Sequence, residues 1–280
     1  DYGSLYPSSI ISVNISHETF CNNPEYQGDK GAELLNKLGY DYEDITYNLY
    51  GVELTKAGHI KKKYKVGEQT DRYIQFKDPD KKGIIPNILR DLLKARKHTR
   101  GKIKYKTVTI SNNNRDSHND SHNNIYNDSH DDSHDNKTKQ YSYSGALIKD
   151  IVSIRKQCAK DKKDIPDKWL QIPPDNLHLV IDEYGDYHFI DKTKIVNICD
   201  TYDDFQKNIL DGLQLAYKMT ANSLYGQLGA RSSAIYWKNL AASTTATGRK
   251  QLEIAQKYVE DERNFPVKMD DGTIYYRKNK

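Results

Sequence analysis

The stretch from residue 111 to 136 cannot join a folded core, and everything else in the chain has to be organised around it. It is made almost wholly of Asn, Asp, Ser and His, and the tripeptide Asp-Ser-His recurs, ending at His118, His122, His130 and His134. With so little apolar surface to bury, nothing offsets the entropy of ordering it. A His-rich tract also has the donors to bind transition metals, so two readings stand, a disordered insertion and a metal-binding tract. As an insertion closed at its base, its length costs little in loop entropy.

Charge and cysteine usage narrow the setting. The chain of 280 residues carries a net charge of +4. The tract holds one Arg and six Asp, so the remainder stands at +9, which suits a polyanionic partner and equally a solvated basic surface. Cys21, Cys158 and Cys199 are odd in number and widely spaced, which favours neither a disulfide framework nor a zinc cluster and points to a reducing, intracellular location. No apolar run is long enough to span a bilayer, so no membrane partner is expected. The first residue is Asp1 rather than Met, and it lies inside a motif, so the chain is expected to be a piece of a longer protein.

Periodicity outlines an α+β chain. Residues 1–6 read as a short strand, with Pro7 starting a helix. Residues 59–66 and 72–76 read as strands, with Gly67 and Asp71 near a turn between them. A helix is predicted over 84–104, where Ile85, Ile88, Leu89, Leu92 and Leu93 share a face. Helical spacing resumes over 145–160. Residues 177–190 read as a hairpin turning at Gly185. Two further helices are predicted over 203–224 and 241–261, and Asp270-Asp271-Gly272 as a turn.

Three constellations carry chemistry. In Asp1-Tyr2-Gly3-Ser4-Leu5-Tyr6-Pro7-Ser8, an Asp before a tight turn can hold a divalent ion against exposed backbone N–H groups that suit phosphate oxygens. The ring of Tyr6 would lie beside a sugar and exclude a 2′-hydroxyl by clash. The same residues would also serve a plain strand-to-helix junction. In the second, Gln214, Lys218, Asn222 and Tyr225 form one helical stripe that ends at Gly226, where a base pair can approach the backbone. An amphipathic helix with a solvated Lys and a Gly C-cap is the alternative. In the third, Gly83-Ile84-Ile85-Pro86-Asn87-Ile88-Leu89 leads to Arg96 and Arg100, one turn apart and able to fork phosphate oxygens, or simply a basic helix end.

The octapeptide resembles motif A of family B DNA polymerases, D-x-x-S-L-Y-P-S, and Lys218-Met219-Thr220-Ala221-Asn222-Ser223-Leu224-Tyr225-Gly226 matches motif B, K-x-x-x-N-S-x-Y-G. The third stretch is similar to the family's first fingers helix, with Arg100 in place of the more usual Lys. The resemblance covers residues 1–15, 83–106 and 203–260. It implies a DNA-directed DNA polymerase that adds dNMP to a primer 3′-hydroxyl. Asp1 and the Tyr2 carbonyl would be metal ligands, for two Mg2+ ions in the complete site. Ser4 and Leu5 would contact the triphosphate through backbone, and Tyr6 would be the sugar gate. Arg96, Arg100, Lys218 and Asn222 would bind the dNTP, with Tyr225 and Gly226 at the nascent base pair. Primer–template DNA, and a processivity factor, are the partners it implies.

The same resemblance organises the chain into a first palm part over 1–82, a first fingers helix over 83–106, a fingers insertion over 107–200, a second fingers helix over 201–228 and a return to the palm over 229–280. The α+β expectation then becomes a partial palm of strands and packing helices, with antiparallel helical fingers that carry a long insertion. Motif C, Y-G-D-T-D-S, has no counterpart after residue 226. Tyr184-Gly185-Asp186 is a partial match, but it precedes motif B and lacks the second Asp, so it reads as an ordinary turn. The chain alone is therefore expected to be inactive. One part of a split polymerase and a non-catalytic nucleic-acid-binding remnant are the alternatives. The polar insertion is similar to those of polymerases from large DNA viruses, which places the protein in a host nucleus or cytoplasm.

Overall fold

The computed structural model describes residues 4–55, 59–78, 80–112, 139–260, 266–268 and 274–276. The fold is α+β, and the chain divides into two compact units, residues 1–96 with 215–280, and residues 97–214.

In the first unit, helix α1 (Leu5–Val13) is followed by the short strand β1 (Phe20–Cys21), helix α2 (Gly28–Lys37) and the long antiparallel ribbon β2 (Tyr40–Leu54) and β3 (Ile60–Phe76). The sheet order is β1-β3-β2. Helix α3 (Ile84–Lys102) runs out of this unit. The core joins Ile10 and Ile15, from α1 and the loop after it, to Ile45 and Tyr73 of the ribbon, and to Leu89, Ala221, Leu228 and Leu240 from helices. Leu228 lies in α6 (Asp204–Gly229) and Leu240 in α7 (Lys238–Glu260).

Two charged side chains tie the ribbon down. Buried Asp71 accepts hydrogen bonds from Tyr47 Oη (2.8 Å), Gln69 Nε2 (2.8 Å), Ser243 Oγ (3.1 Å) and Asn239 Nδ2 (3.3 Å), joining β3 to α7. Burial first, and then the carboxylate beside it, pushes the Tyr47 phenol far above its ordinary pKa, so it stays a donor. Arg72 forks onto Asp44 with two bonds of 2.7 Å and donates to the Tyr26 and Gly28 carbonyls at 2.8 and 3.0 Å.

The second unit is a five-stranded antiparallel sheet of order β7-β6-β5-β4-β8. Its strands are β4 (Lys106–Asn112), β5 (Lys139–Ile148), β6 (Leu177–Ile181), β7 (Tyr187–Asp191) and β8 (Ile195–Asp200). Helices α4 (Ile151–Lys160) and α5 (Asp167–Leu170) lie between β5 and β6 in the chain. Ile154 and Cys158 of α4 pack on Leu177 and Leu179 of β6, while Val180 faces Val108 and Ile190. With both faces covered, β6 is buried at four successive positions, Leu177 to Val180, with His178 among them, rather than at alternate ones. At the start of α6, Asp203 and Gln206 form a reciprocal capping box, with bonds of 2.7 and 3.1 Å.

Several sequence expectations need correction. Leu5 and Tyr6 are helical rather than extended, because Pro7 fits inside the first turn and the helix starts ahead of it. Residues 59–66 and 72–76 are not separate strands: β3 is continuous, and the signal at Gly67 is absorbed by a register shift between Leu49 and Tyr50 on the partner strand. Residues 145–148 end strand β5, and α4 begins only after the Asp150 cap, whose carboxylate accepts from Ser153 N–H at 2.8 Å. Gly145 is a glycine because a Cβ there would meet the Ile181 carbonyl oxygen at 2.1 Å. Ser111 and Asn112 belong to β4, while the rest of the low-complexity tract lies outside the described residues. The expected turn at 270–272 also lies outside them, between β9 (Pro266–Lys268) and β10 (Ile274–Tyr276), which pair antiparallel.

Candidate functional site

The loop after α1 sets where α3 begins. Asn14 ends α1 in the left-handed region at φ 60°, its amide donates to the Ile74 carbonyl at 2.8 Å, and its Oδ1 accepts from Gly83 N–H at 2.7 Å. The first N–H groups of a helix have no partner inside it. Here Ile84 N–H donates to Glu18 Oε1 and Ile85 N–H to Ser16 Oγ (3.3 Å). The approach is so close that a Cβ on Gly83 would lie 2.7 Å from Glu18 Oε1 and 2.8 Å from Ser16 Cβ. Burial alone would raise the Glu18 carboxyl, but the Ile84 N–H and the Ser16 hydroxyl hold it below its ordinary pKa. The helix dipole acts in the same direction.

From that fixed start, Arg96 stands about 18 Å along α3 at 1.5 Å per residue. Its Nη1 reaches Ser4 Oγ at 3.4 Å, a long bond that joins α3 to the N-terminus of α1. Leu5 turns its side chain to α7, within 3.6 Å of where a Cβ on Gly248 would stand, which leaves its backbone N–H in the first turn of α1. Tyr6 stacks face to face on Tyr225 of α6, with centroids 4.0 Å apart and planes within 10°. The Tyr225 hydroxyl shares a 2.8 Å hydrogen bond with Thr245 Oγ1 on α7. Ser4, Tyr6, Arg96 and Tyr225 therefore come together in one unit, from three sequence regions.

Lys218 is half-buried and Asn222 exposed on α6, two turns and one turn before Tyr225 respectively. Among the described residues neither has a hydrogen-bond or ion-pair partner, so no protein group competes for their donors. Gly226 does not cap the helix, which continues to Gly229, and among the described residues nothing beyond its own helix turn lies within 4 Å of where its Cβ would be. Arg100 is exposed one turn after Arg96 and belongs to residues 97–214. Asp1 and Tyr2 lie outside the described residues. Among the described residues no group of three or more His, Cys, Asp or Glu side chains is placed to hold a metal. Tyr184-Gly185-Asp186 is an ordinary turn, with Gly185 at φ 86° and the Asp182 carboxylate accepting from the Tyr184 and Asp186 N–H groups at 2.9 Å.

Sequence reasoning missed Thr245 as the anchor of Tyr225, and missed Ser16 and Glu18 as the cap of α3. Glu18 acts 66 residues away in the chain, where no local pattern reaches. In the sequence, Thr245 shows only as part of the helix predicted over 241–261.

The described residues include no helix long and apolar enough to cross a membrane. The chain matches DNA polymerase family B over residues 1–119 and 192–276. It is 40% identical over 262 residues to a DNA polymerase of Pyramimonas orientalis virus, covering 93% of this chain and 16% of the viral protein. A DNA polymerase of Phaeocystis pouchetii virus is 29% identical over 286 residues, covering 97% of this chain and 18% of that protein. One from Acanthamoeba polyphaga mimivirus is 59% identical over 64 residues, 23% of this chain and 4% of that protein. The chain thus spans under a fifth of the length of these curated relatives. By the extent of the family match, the chain belongs to DNA polymerase family B.

Proposed function

We infer that these residues form the dNTP-gripping part of a DNA-directed DNA polymerase within a longer polypeptide, acting on primer–template DNA inside a host cell. The observation that carries this reading is the Tyr6–Tyr225 stack, which brings one ring from each of the two motifs face to face within one unit. Residues 1–82 and 229–280 then serve as palm, and α3 and α6 as fingers. The first N–H groups of α1, with its dipole, suit a triphosphate. Arg96 supplies a forked donor and Lys218 a point charge to the triphosphate, and Asn222 adds a neutral donor; Arg100 stands one turn from Arg96 on α3, the spacing at which the family resemblance gives it a like role. Tyr6 takes the place a 2′-hydroxyl would need, and Tyr225 with the open flank of Gly226 suits the nascent base pair. Divalent metal ions are general to the family. Mg2+, held by Asp1 and the Tyr2 carbonyl, would neutralise developing phosphate charge.

The test is Lys218→Ala in a polypeptide extended to the length of the viral relatives. A charge-assisted hydrogen bond is worth about 1.5–3 kcal/mol, so dNTP affinity in single-turnover incorporation should fall roughly ten- to a hundredfold. Thermal stability should change by less than about 0.5 kcal/mol, because no protein partner is lost. Unchanged dNTP affinity rejects the reading.

A further inference from the structure

The family match skips residues 120–191, and that stretch supplies β5 to β7, α4 and α5. With Ile110 of β4 they shape an open cleft of about 570 Å³ on the second unit, lined by the rings of Tyr143, Trp169, Tyr187, His188 and Phe189 and by Lys163, Lys168 and one carboxylate, Asp164. The rings are arranged as stacks. Trp169 lies on Phe189 at 6.1 Å and 29°, and Tyr143 on His188 at 4.6 Å and 29°. Tyr187 meets Phe189 edge-on at 6.2 Å.

Trp169, Tyr187 and Phe189 pack one side against the core of Ile154, Cys158, Leu177 and Leu179, yet each stays half-exposed toward the cleft. Filling the core alone would not require the outer faces to remain open. Both lysines attend these rings: Lys163 Nζ lies 4.3 Å above Tyr187 while donating to the Gly185 carbonyl at 2.9 Å, and Lys168 Nζ lies 5.5 Å from the Trp169 ring. The backbone holds Lys163 there. Lys162 sits in the left-handed region at φ 53°, and Lys163 N–H closes back on the Cys158 carbonyl at 2.9 Å.

Flat rings with open faces recognise unpaired bases, and ammonium groups at their edges recognise the linking phosphates. Residues 149–168 carry seven Lys or Arg against four Asp, an excess that suits a polyanion. A duplex hides its bases and could not use the rings. We propose that this cleft is a stacking site for single-stranded DNA, its rings and lysines all supplied by residues outside the family match. The choice of DNA rests on the polymerase reading; the stacking chemistry does not.

The chain's two tryptophans are Trp169 and Trp237, so Trp237→Phe leaves Trp169 as the only indole reporter. Titrating this variant with oligodeoxythymidine of twelve nucleotides should quench its fluorescence, and the quench should weaken as salt rises. Removing an aromatic platform costs about five- to a hundredfold in affinity, so Trp169→Ala should weaken binding of the fluorescein-labelled oligomer at least fivefold by anisotropy. Since Trp169 also packs on the core, the surface variant Lys163→Glu/Lys168→Glu, with unchanged circular dichroism, should do the same. An absent quench, unchanged affinity in the charge variant, or equal binding of a twelve-base-pair duplex overturns the proposal. None of these outcomes touches the Lys218→Ala test of dNTP affinity, so the two readings fail separately.

Discussion

Glu18 shows how a single carboxylate fixes the geometry of the candidate site. It accepts the Ile84 N–H at the head of α3 and the Ser16 hydroxyl, and α3 then carries Arg96 to Ser4. Its folded pKa lies below the ordinary 4.5, so its contribution is complete above that value and is lost as pH falls through the lower folded one. Glu18→Gln keeps an acceptor oxygen but removes the charge that the helix dipole favours, at a cost of about 0.5–1 kcal/mol at neutral pH. Urea midpoints measured from pH 6 to 3 should converge for the variant and the parent at the acid end. A difference that stays constant across the range would show that the charge contributes nothing. In the sequence this residue has no visible role, because the Ile84 N–H that it caps lies beyond the ribbon that separates α1 from α3.

At the scale of elements, the long helices are legible and the ribbon only in part: β3 shows as two strands with a turn between them, and β2 does not show. Helices α3, α6 and α7 each run for five turns or more, and their predicted limits differ from the observed ones by five residues or fewer. The ribbon lacks the matching period of two, because Tyr50, Val52, Tyr64 and Val66 are all exposed along its outer length and no core face selects an alternation. Its inner end is held by side chains instead. Arg72 is 4% exposed, so replacing it with Met leaves the Tyr26 and Gly28 carbonyls and the Asp44 carboxylate without their donor. Breaking a buried pair typically costs about 3–5 kcal/mol, and Asp44 retains some solvent, so about 3 kcal/mol is expected. The check is urea denaturation with an unchanged m-value. A loss below 1 kcal/mol would mean that the β2–β3 pairing alone holds this end of the sheet.

For the molecule as a whole, the low-complexity tract left two possibilities that a deletion can separate. Strands β4 and β5 pair in register from Lys106 with Gly145 to Asn112 with Lys139, so the two ends of residues 113–138 stand side by side. If that tract is only a closed insertion, it lengthens the loop that folding must close and adds no stabilising contact. Replacing it by Asn-Gly, which favours the tight turn an antiparallel pair needs, then removes closure entropy of about 2 kcal/mol. The shortened chain should melt several degrees higher, with unchanged amide protection in β4 and β5 and unchanged dNTP affinity in the extended polypeptide. The metal-binding reading requires the opposite sign: adding Zn2+ to the full chain should raise its melting temperature, and the deletion should abolish that rise. A lower melting temperature for the shortened chain without any metal would mean the tract makes contacts that its composition gives no means to make.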